Sequence, residues 1–186
     1  MKNLFLKSLI ALSVLLSMLA CTKEGAQGPA GKDGNANVMY SDWITYAANF
    51  TDIATVKTMR IVVPQYTDNF VDSGGFYLAF VRWQNNVHLQ LPFSKRFNSS
   101  SSPIVEMEAV GISFSDIGEL RLSAGRQDGG NLQSEFTTLI TTNILQVRYF
   151  LIRGTQNLRL GNGLSIRDYY KSKSYEEICA LTGAPL

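Results

Sequence analysis

The stretch that decides the fold is Phe76–Trp83, FYLAFVRW, followed after a short break by Val87–Leu91, VHLQL. The first segment is almost continuously apolar, which is typical of a central strand covered on both faces, and the second alternates strictly between apolar and polar residues. Gln84–Asn86 lies between them, and Asn tolerates the positive φ of a tight turn. The two segments therefore predict a β-hairpin.

Further strands are predicted on both sides of the hairpin, because β-branched and aromatic residues recur in short segments separated by turn residues. These segments are Val38–Thr45, Thr55–Val63, Ile104–Phe114, Glu119–Ser123 and Asn143–Ile152. In Ile104–Phe114 the apolar residues change face beside Gly111, which predicts a β-bulge or a bend. The number and spacing of the strands predict a mainly β fold, an antiparallel β-sandwich.

Two short helical segments accompany the strands. Thr67–Gly74 begins with a capping Thr and ends at Gly, so it predicts a single helical turn. Ser174–Glu177 has the S-x-x-E pattern of a capping box, and Gly183 ends the segment that follows. The apolar face of that segment consists of Tyr175, Ile178, Cys179 and Thr182. We expect a C-terminal helix that covers an open part of the sandwich.

The chain begins with a segment typical of a secretory signal. Lys2 and Lys7 precede a 13-residue apolar run, Ser8–Ala20. A helix that spans a bilayer needs about 20 residues, so this run is too short to cross a membrane. The run ends in Met-Leu-Ala-Cys21, which resembles the lipobox of bacterial lipoproteins. The resemblance implies that residues 1–20 are a lipoprotein signal peptide, that Cys21 is lipidated and that the protein is attached to the outer membrane. A plain signal peptide with an incidental Cys is the alternative.

Residues 21–37 are interpreted as the lipidated Cys and a collagen-like flexible tether. Gly25, Gly28, Gly31 and Gly34 recur at every third position, the spacing that a collagen triple helix requires. Four triplets favour a polar spacer and a monomeric protein, and a trimer-forming stalk remains the alternative. Residues 38–186 then form the β-sandwich domain.

The order of these features resembles a group of uncharacterised lipoproteins of Gram-negative envelopes. The resemblance rests on the lipobox-like Cys21, the Gly-X-Y triplets and the sequence DGNANV at Asp33–Val38, followed by one small β domain. It extends to Leu91-Pro92 after the hairpin and to the late strand at Arg148–Ile152. The resemblance implies a location and an architecture, but it implies no activity.

The residue types available for chemistry exclude several functions. The chain has 17 Lys and Arg against 15 Asp and Glu, and Lys2 and Lys7 lie in the leader, so the remainder carries no net charge and nucleic-acid binding is not expected. One His and two Cys provide no metal site, and the motifs of nucleotide cofactors are absent. His88 alternates with Val87 and Leu89, so we expect it at the solvent or on a polar face of the sheet. Glu106 and Glu108 share a strand face that we expect to be solvated, although paired carboxylates also serve glycoside hydrolysis.

Binding is the main alternative to a purely structural role. Trp43, Trp83 and the eight Tyr offer aromatic surface for stacking on sugars, although we expect most of these residues in the core or in cross-strand pairs. The segment Gln146–Lys173 has an excess of cations that would meet lipopolysaccharide phosphates or anionic glycans: Arg148, Arg153, Arg159, Arg167, Lys171 and Lys173. We therefore expect a non-catalytic accessory domain without a cofactor, with a binding module for an anionic or carbohydrate ligand as the alternative and a hydrolase as the less favoured third.

Overall fold

The computed structural model describes residues 32–33, 38–83, 87–96, 103–132, 134–141, 144–154 and 164–186. Its strands are β1 (Lys32–Asp33), β2 (Val38–Tyr40), β3 (Ile44–Thr45), β4 (Thr51–Asp52), β5 (Val56–Val63), β6 (Phe76–Trp83), β7 (Val87–Gln90), β8 (Phe93–Arg96), β9 (Ile104–Ile112), β10 (Gly118–Arg126) and β11 (Gln146–Ile152). Its helices are α1 (Asp68–Asp72), α2 (Ser134–Thr141), α3 (Ile166–Lys171) and α4 (Tyr175–Thr182). Within these ranges, no helix has the length and apolar composition needed to cross a bilayer.

The strands form two antiparallel sheets. The first sheet has the order β1-β2-β11-β6-β7, and β3 also pairs with β11. The second sheet has the order β4-β5-β10-β9-β8. One hydrophobic cluster contains residues of both sheets, so the sheets pack face to face. The mainly β fold predicted from the sequence, an antiparallel sandwich with short helices, is confirmed.

The first sheet buries both of its faces, which explains why β6 and β11 are apolar almost throughout. The inner face packs on the second sheet through Ala79, Val81, Val147, Tyr149 and Leu151. The outer face carries a separate cluster that includes Leu78, Phe80, Phe150 and Ile152 together with Tyr175, Ile178 and Cys179 of α4. Helix α4 is therefore a third layer, and the prediction that the C-terminal helix covers part of the sandwich is confirmed.

The predicted hairpin is formed by β6 and β7. Their pairing runs from Trp83 opposite Val87 to Phe80 opposite Gln90, and the connecting residues 84–86 lie outside the described ranges. The last hydrogen bond between the two segments runs from the Leu91 amide to the Ala79 carbonyl at 2.9 Å. In the described part of the chain, the first residues of β6 therefore have a strand on one side only, which is β11.

The predicted β-bulge at Gly111 is wrong. β9 pairs with β10 without a break from Val105 to Ile112. Gly111 lies on the inner face of β9, where the Tyr66 ring fills the space that a side chain would need. A Cβ at this position would lie 2.6 Å from Tyr66 Oη. Val110 lies on the outer face and is 46% exposed. The apolar pattern changes because of an inward Gly and an exposed Val, and no extra residue is inserted.

The two predicted helices are present, and two others were not predicted. Thr67 caps α1 by accepting a hydrogen bond from the Phe70 amide, and Ser174 and Glu177 form the capping box of α4. Gly183 then ends α4 with a left-handed φ of 72°. Helices α2 and α3 are rich in Thr, Tyr and other residues of modest helix propensity, so their sequences give a weak signal.

The predicted strand Val38–Thr45 is interrupted between β2 and β3. Both strands pair with β11, and Ser41 keeps contact with it across the gap. The Ser41 amide donates to the Tyr149 carbonyl at 3.0 Å, and the Tyr149 amide donates to Ser41 Oγ at 3.1 Å. Because the Ser41 side chain accepts this bond, the Ser41 carbonyl is free to accept a hydrogen bond from Arg148 at 2.8 Å.

Candidate ligand-binding site

The residues that the sequence suggested for ligand binding do not share one surface. Trp43 and Arg148 come together beneath α4, with the guanidinium carbon 5.8 Å from the centre of the indole ring. Trp83 is the last residue of β6, whereas the exposed Arg153 follows the end of β11 that pairs with the start of β6. Arg159 and the predicted lipidation site Cys21 lie outside the described residues.

Arg148 does not belong to a surface cluster of cations. It is 1% exposed, on the outer face of β11 where α4 covers the sheet. Its guanidinium donates hydrogen bonds to the carbonyls of Ser41 and Pro185 and to the hydroxyl of Tyr175. Arg148 thus joins β11, the interrupted edge strand and the C-terminal segment, and the expected contact with an external anion is corrected to an internal structural role.

Trp43 also makes its contacts inside the protein. Its ring stacks on His88 with 5.5 Å between the ring centres, and the Arg82 guanidinium lies 4.2 Å from the indole centre. Tyr175 of α4 packs against both rings. The indole Nε1 is buried and has no hydrogen-bond partner among the described residues. These contacts occupy the aromatic surface that a stacked sugar would need.

His88 belongs to this aromatic cluster, and the prediction that it lies at the solvent is wrong. Its side chain is 13% exposed, and its Nδ1 lies 3.1 Å from Oε1 of Glu176. The pKa of Glu176 is lowered, first by a hydrogen bond from its own backbone amide and then by His88. The alternation along β7 correctly separates its two faces, but it does not reveal that α4 covers one of them.

A cavity of about 620 Å³ lies at the edge of β6, where the pairing with β7 has ended. Its walls come from the start of β6, from Leu91-Pro92 after β7, from α1 and from Ala109 of β9. Helix α3 contributes Arg167 and Lys171. The cavity exists because β7 is four residues long and β6 is eight, so half of the β6 edge has no strand of the hairpin beside it.

Two phenols lie in the wall of the cavity. Tyr77 reaches across the sandwich: its hydroxyl donates to the Ala109 carbonyl at 2.6 Å and accepts from the Gly111 amide at 3.2 Å. Tyr66 packs edge to face on Tyr77, with ring centres 5.6 Å apart. Burial raises the pKa of both phenols, and Arg167 has a smaller opposite effect on each pKa. Both phenols are therefore neutral at physiological pH.

Arg167 and Lys171 stand one helical turn apart on α3, and both are exposed. The helix begins at the capping residue Ser165, whose Oγ accepts from the Asp168 amide at 3.1 Å and donates to the Asp168 carboxylate at 2.7 Å. The Arg167 guanidinium lies 5.5 Å from the centre of the Phe76 ring, at the start of β6. The capped helix thus holds two cations at the rim of an aromatic-walled cavity.

A second cavity, of about 470 Å³, contains the paired carboxylates noted in the sequence. Glu106 and Glu108 are exposed on the outer face of the second sheet, as expected for a solvated face. Glu106 accepts a hydrogen bond from the Ser94 hydroxyl at 3.2 Å. In the described part of the chain, no three His, Cys, Asp or Glu side chains are grouped so as to hold a metal ion.

Comparison of the chain with protein-family models, with curated proteins and with solved structures finds no match. The functional assignment of the cavity at the edge of β6 therefore depends on its geometry. The excess of cations in Gln146–Lys173 was the one sequence signal that pointed to it, because this segment contains Arg167 and Lys171. Tyr66, Tyr77 and the cavity itself gave no signal, since they come together through strand lengths and packing.

Proposed function

We propose that this protein is a lipid-anchored, non-catalytic protein of the outer membrane whose β-sandwich domain binds an anionic ligand. The observation that carries the proposal is the cavity of about 620 Å³ with Arg167 and Lys171 at its rim. The anchor rests on the lipobox-like sequence that ends at Cys21.

The two rim cations are suited to one shared anion. Side chains four residues apart on a helix are neighbours, about 5–6 Å apart at Cβ, so a single carboxylate or phosphate can contact both. The guanidinium of Arg167 matches the paired oxygens of these anions, and Lys171 adds a second positive charge. Among the described residues, no recorded ion pair includes either cation.

An anion fits this cavity better than a neutral sugar does. A sugar has many hydroxyl groups, and each one that leaves water needs a polar partner in the protein. Among the described lining residues, the neutral polar side chains are those of Tyr66, Tyr77 and Gln90, and the Tyr77 hydroxyl already makes two hydrogen bonds within the protein. Recognition by charge therefore has more support here than recognition by hydroxyl groups.

The binding role can be tested with the fragment of residues 32–186, which holds every described strand and helix and both hydrophobic clusters. The probe is anilinonaphthalene sulfonate, an aromatic anion that becomes fluorescent in apolar surroundings. We expect saturable binding at one site and at least about tenfold weaker binding in Arg167→Gln, since a hydrogen bond to a charged group contributes about 1.5–3 kcal/mol.

The matched control is Arg153→Gln, which removes the same charge from an exposed position that does not line the cavity. Its affinity for the probe should stay close to that of the unmodified fragment. Circular dichroism must show that both variants are folded. Equal affinities in the two variants would contradict the proposal.

The anchor is tested with the full chain in a Gram-negative host. Changing Cys21 to Ala removes the thiol that would carry the lipid, so we expect an uncleaved or soluble protein in place of a processed protein in the membrane fraction. Processing and membrane attachment that are unchanged in Cys21→Ala would disprove the anchor and leave the binding role to be judged separately.

A further inference from the structure

We propose that the ligand of this cavity is a single-chain anionic amphiphile, a molecule with one hydrocarbon chain and one carboxylate or phosphate head. The inference rests on the proposed function and adds the chemistry of the ligand's body to the charge of its head. It is carried by the distribution of apolar and cationic groups around the cavity.

The inner part of the cavity is continuous with both hydrophobic clusters. Phe76 and Leu78 belong to the cluster beneath α4, whereas Ala79 and Leu91 belong to the cluster between the sheets. All four line the cavity, and none of them is more than 8% exposed. The cavity reaches both clusters because it surrounds the unpaired edge of β6. A hydrocarbon chain placed here would gain about 25 cal/mol for each Å² of its surface removed from water.

The polar groups of the wall do not offer a second place for a charged head. Among the described residues, no carboxylate lines the cavity. The nearby carboxylate of Asp168 accepts a hydrogen bond from Ser165, and Glu108 lies close enough to Tyr77 to affect its pKa. The hydroxyl of Tyr77 is neutral and already paired. The positive charges are confined to the rim. The amphiphile therefore has one orientation, with its anionic head at Arg167 and Lys171 and its hydrocarbon chain inside the cavity.

The volume of the cavity favours one chain over two. If each carbon takes roughly the 30 Å³ that one molecule takes in liquid water, one chain of 16 carbons occupies about 480 Å³ and two such chains occupy about 960 Å³. The cavity of about 620 Å³ therefore holds one chain and its head, and it is too small for the two chains of a typical phospholipid.

The test is displacement of anilinonaphthalene sulfonate from residues 32–186 by a series of competitors kept below their micelle concentrations. The series contains octanoate, decanoate and dodecanoate, with dodecyl phosphate, dodecanol, acetate and inorganic phosphate for comparison. We expect affinity to rise about fourfold for each added methylene. Dodecanoate and dodecyl phosphate should both bind more tightly than dodecanol, and the tighter of the two indicates whether the natural ligand has a carboxylate head, as in a fatty acid, or a phosphate head, as in an alkyl phosphate.

The outcomes separate this inference from the proposed function. Suppose that affinity does not change with chain length, while the probe still binds and Arg167→Gln still weakens its binding. This result would contradict the hydrocarbon chain of the proposed ligand but not its negative charge. Dodecanol that binds as tightly as dodecanoate overturns the anionic head. Absence of binding by every anion, the probe included, overturns both.

A matched pair of variants places the chain in the cavity. Val71 of α1 lines the cavity, so Val71→Trp should fill it and weaken dodecanoate binding at least tenfold. Val110 is 46% exposed on the outer face of the second sheet, and Val110→Trp should bind normally. Equal affinity in the two variants would contradict the proposed location. If Val71→Trp fails to fold, the chain-length series on the unmodified fragment still decides the inference.

Discussion

At Gly111, the absence of a side chain makes room for a ring that lines the cavity. A Cβ on Gly111 would lie 2.6 Å from Tyr66 Oη, and a Cβ on Gly118 would lie 1.8 Å from the Tyr66 carbonyl oxygen. The Tyr66 ring also packs on Phe70 and Tyr77, with ring centres 5.7 and 5.6 Å apart. Tyr66 is thus fixed from several directions and has little room to yield.

Changing Gly111 to Ala should therefore destabilise the protein. Overpacking of this kind costs about 1–3 kcal/mol, which equilibrium unfolding in urea would detect as a lower midpoint. Gly125→Ala on the neighbouring strand is the control, because a Cβ there meets its nearest atom at an ordinary 3.5 Å. Equal midpoints for the two variants would show that Tyr66 moves aside without cost.

The residues Trp43 and Arg148 show how far a site can be predicted from residue type. Apolar residues alternate along Asn143–Ile152, so Leu145, Val147 and Tyr149 share the face that packs between the sheets and Arg148 lies on the other face. An outward cation next to further cations suggested an external anion. The sequence could not show that α4 covers that face, because the contact joins segments whose pairing is decided by the whole fold.

Among the elements, α4 owes its order to packing more than to its own sequence. It has eight residues, and isolated helices shorter than about 12–15 residues are marginal in water. Its side chains Tyr175, Ile178 and Cys179 are each at most 2% exposed. Burial also raises the pKa of the Cys179 thiol, so this cysteine should react slowly with thiol reagents.

Two changes in α4 separate its packing from its capping. Ile178→Ala should lower the free energy of unfolding by about 2–5 kcal/mol, because Ile178 is fully buried. Ser174→Ala should lower it by about 1 kcal/mol, because the Glu177 amide loses its hydrogen bond to Ser174 Oγ. Leu181→Ala is the control in the same helix, since Leu181 is 37% exposed. If Leu181→Ala and Ile178→Ala unfold at the same urea midpoint, α4 is not anchored through Ile178.

The elements that sequence predicted well are those with strong local signals. The β6–β7 hairpin has two clear strand patterns, and α4 has a capping box and a final Gly. Helix α2 lacked such signals, because it is rich in Thr and its helical order depends on Phe136 and Ile140, which pack on the core between the sheets. Helix α3 has a capping Ser but only six residues, too few for a clear period.

In the whole molecule, several buried phenols predict a loss of stability in alkali. Burial raises the pKa of Tyr149 and of Tyr175 to about 12, and it raises the pKa of Tyr46 as well. Phenols in the unfolded chain lose their protons near pH 10. The free energy of unfolding is therefore unaffected below that pH, and it falls as the pH rises from about 10 toward the higher pKa values of the folded state. Each such phenol contributes a slope of about 1.4 kcal/mol per pH unit in this window, about 4 kcal/mol per unit for the three.

Unfolding in urea at about pH 9 and about pH 11 measures this effect, and ultraviolet absorbance of the phenolates follows the titration itself. Tyr149→Phe removes one titrating phenol but keeps the buried ring, so it should reduce the slope by about 1.4 kcal/mol per pH unit. Free energies of unfolding that are equal at the two pH values would contradict the prediction.

The cavity is a property of the whole molecule, which is why no local pattern predicted it. It requires that β7 end halfway along β6, that Leu91-Pro92 leave toward the second sheet and that α3 bring its cations to the gap. Each of these depends on residues far apart in the chain. The sequence showed the cations of α3, but not the hydrocarbon wall beside them.

The central place of β11 sets the order in which the chain acquires structure during synthesis. β2 and β6 both pair with β11, and over 60 residues separate β6 from it. The second sheet has all its described strands once Arg126 has been made, whereas the first sheet consists only of two separate pairs, β1 with β2 and β6 with β7, until Gln146–Ile152 follows. A nascent chain therefore carries one sheet with its apolar face uncovered, the state in which aggregation and proteolysis compete with folding. Nonsense mutations before Gln146 remove β11 and should therefore leave fragments that are degraded.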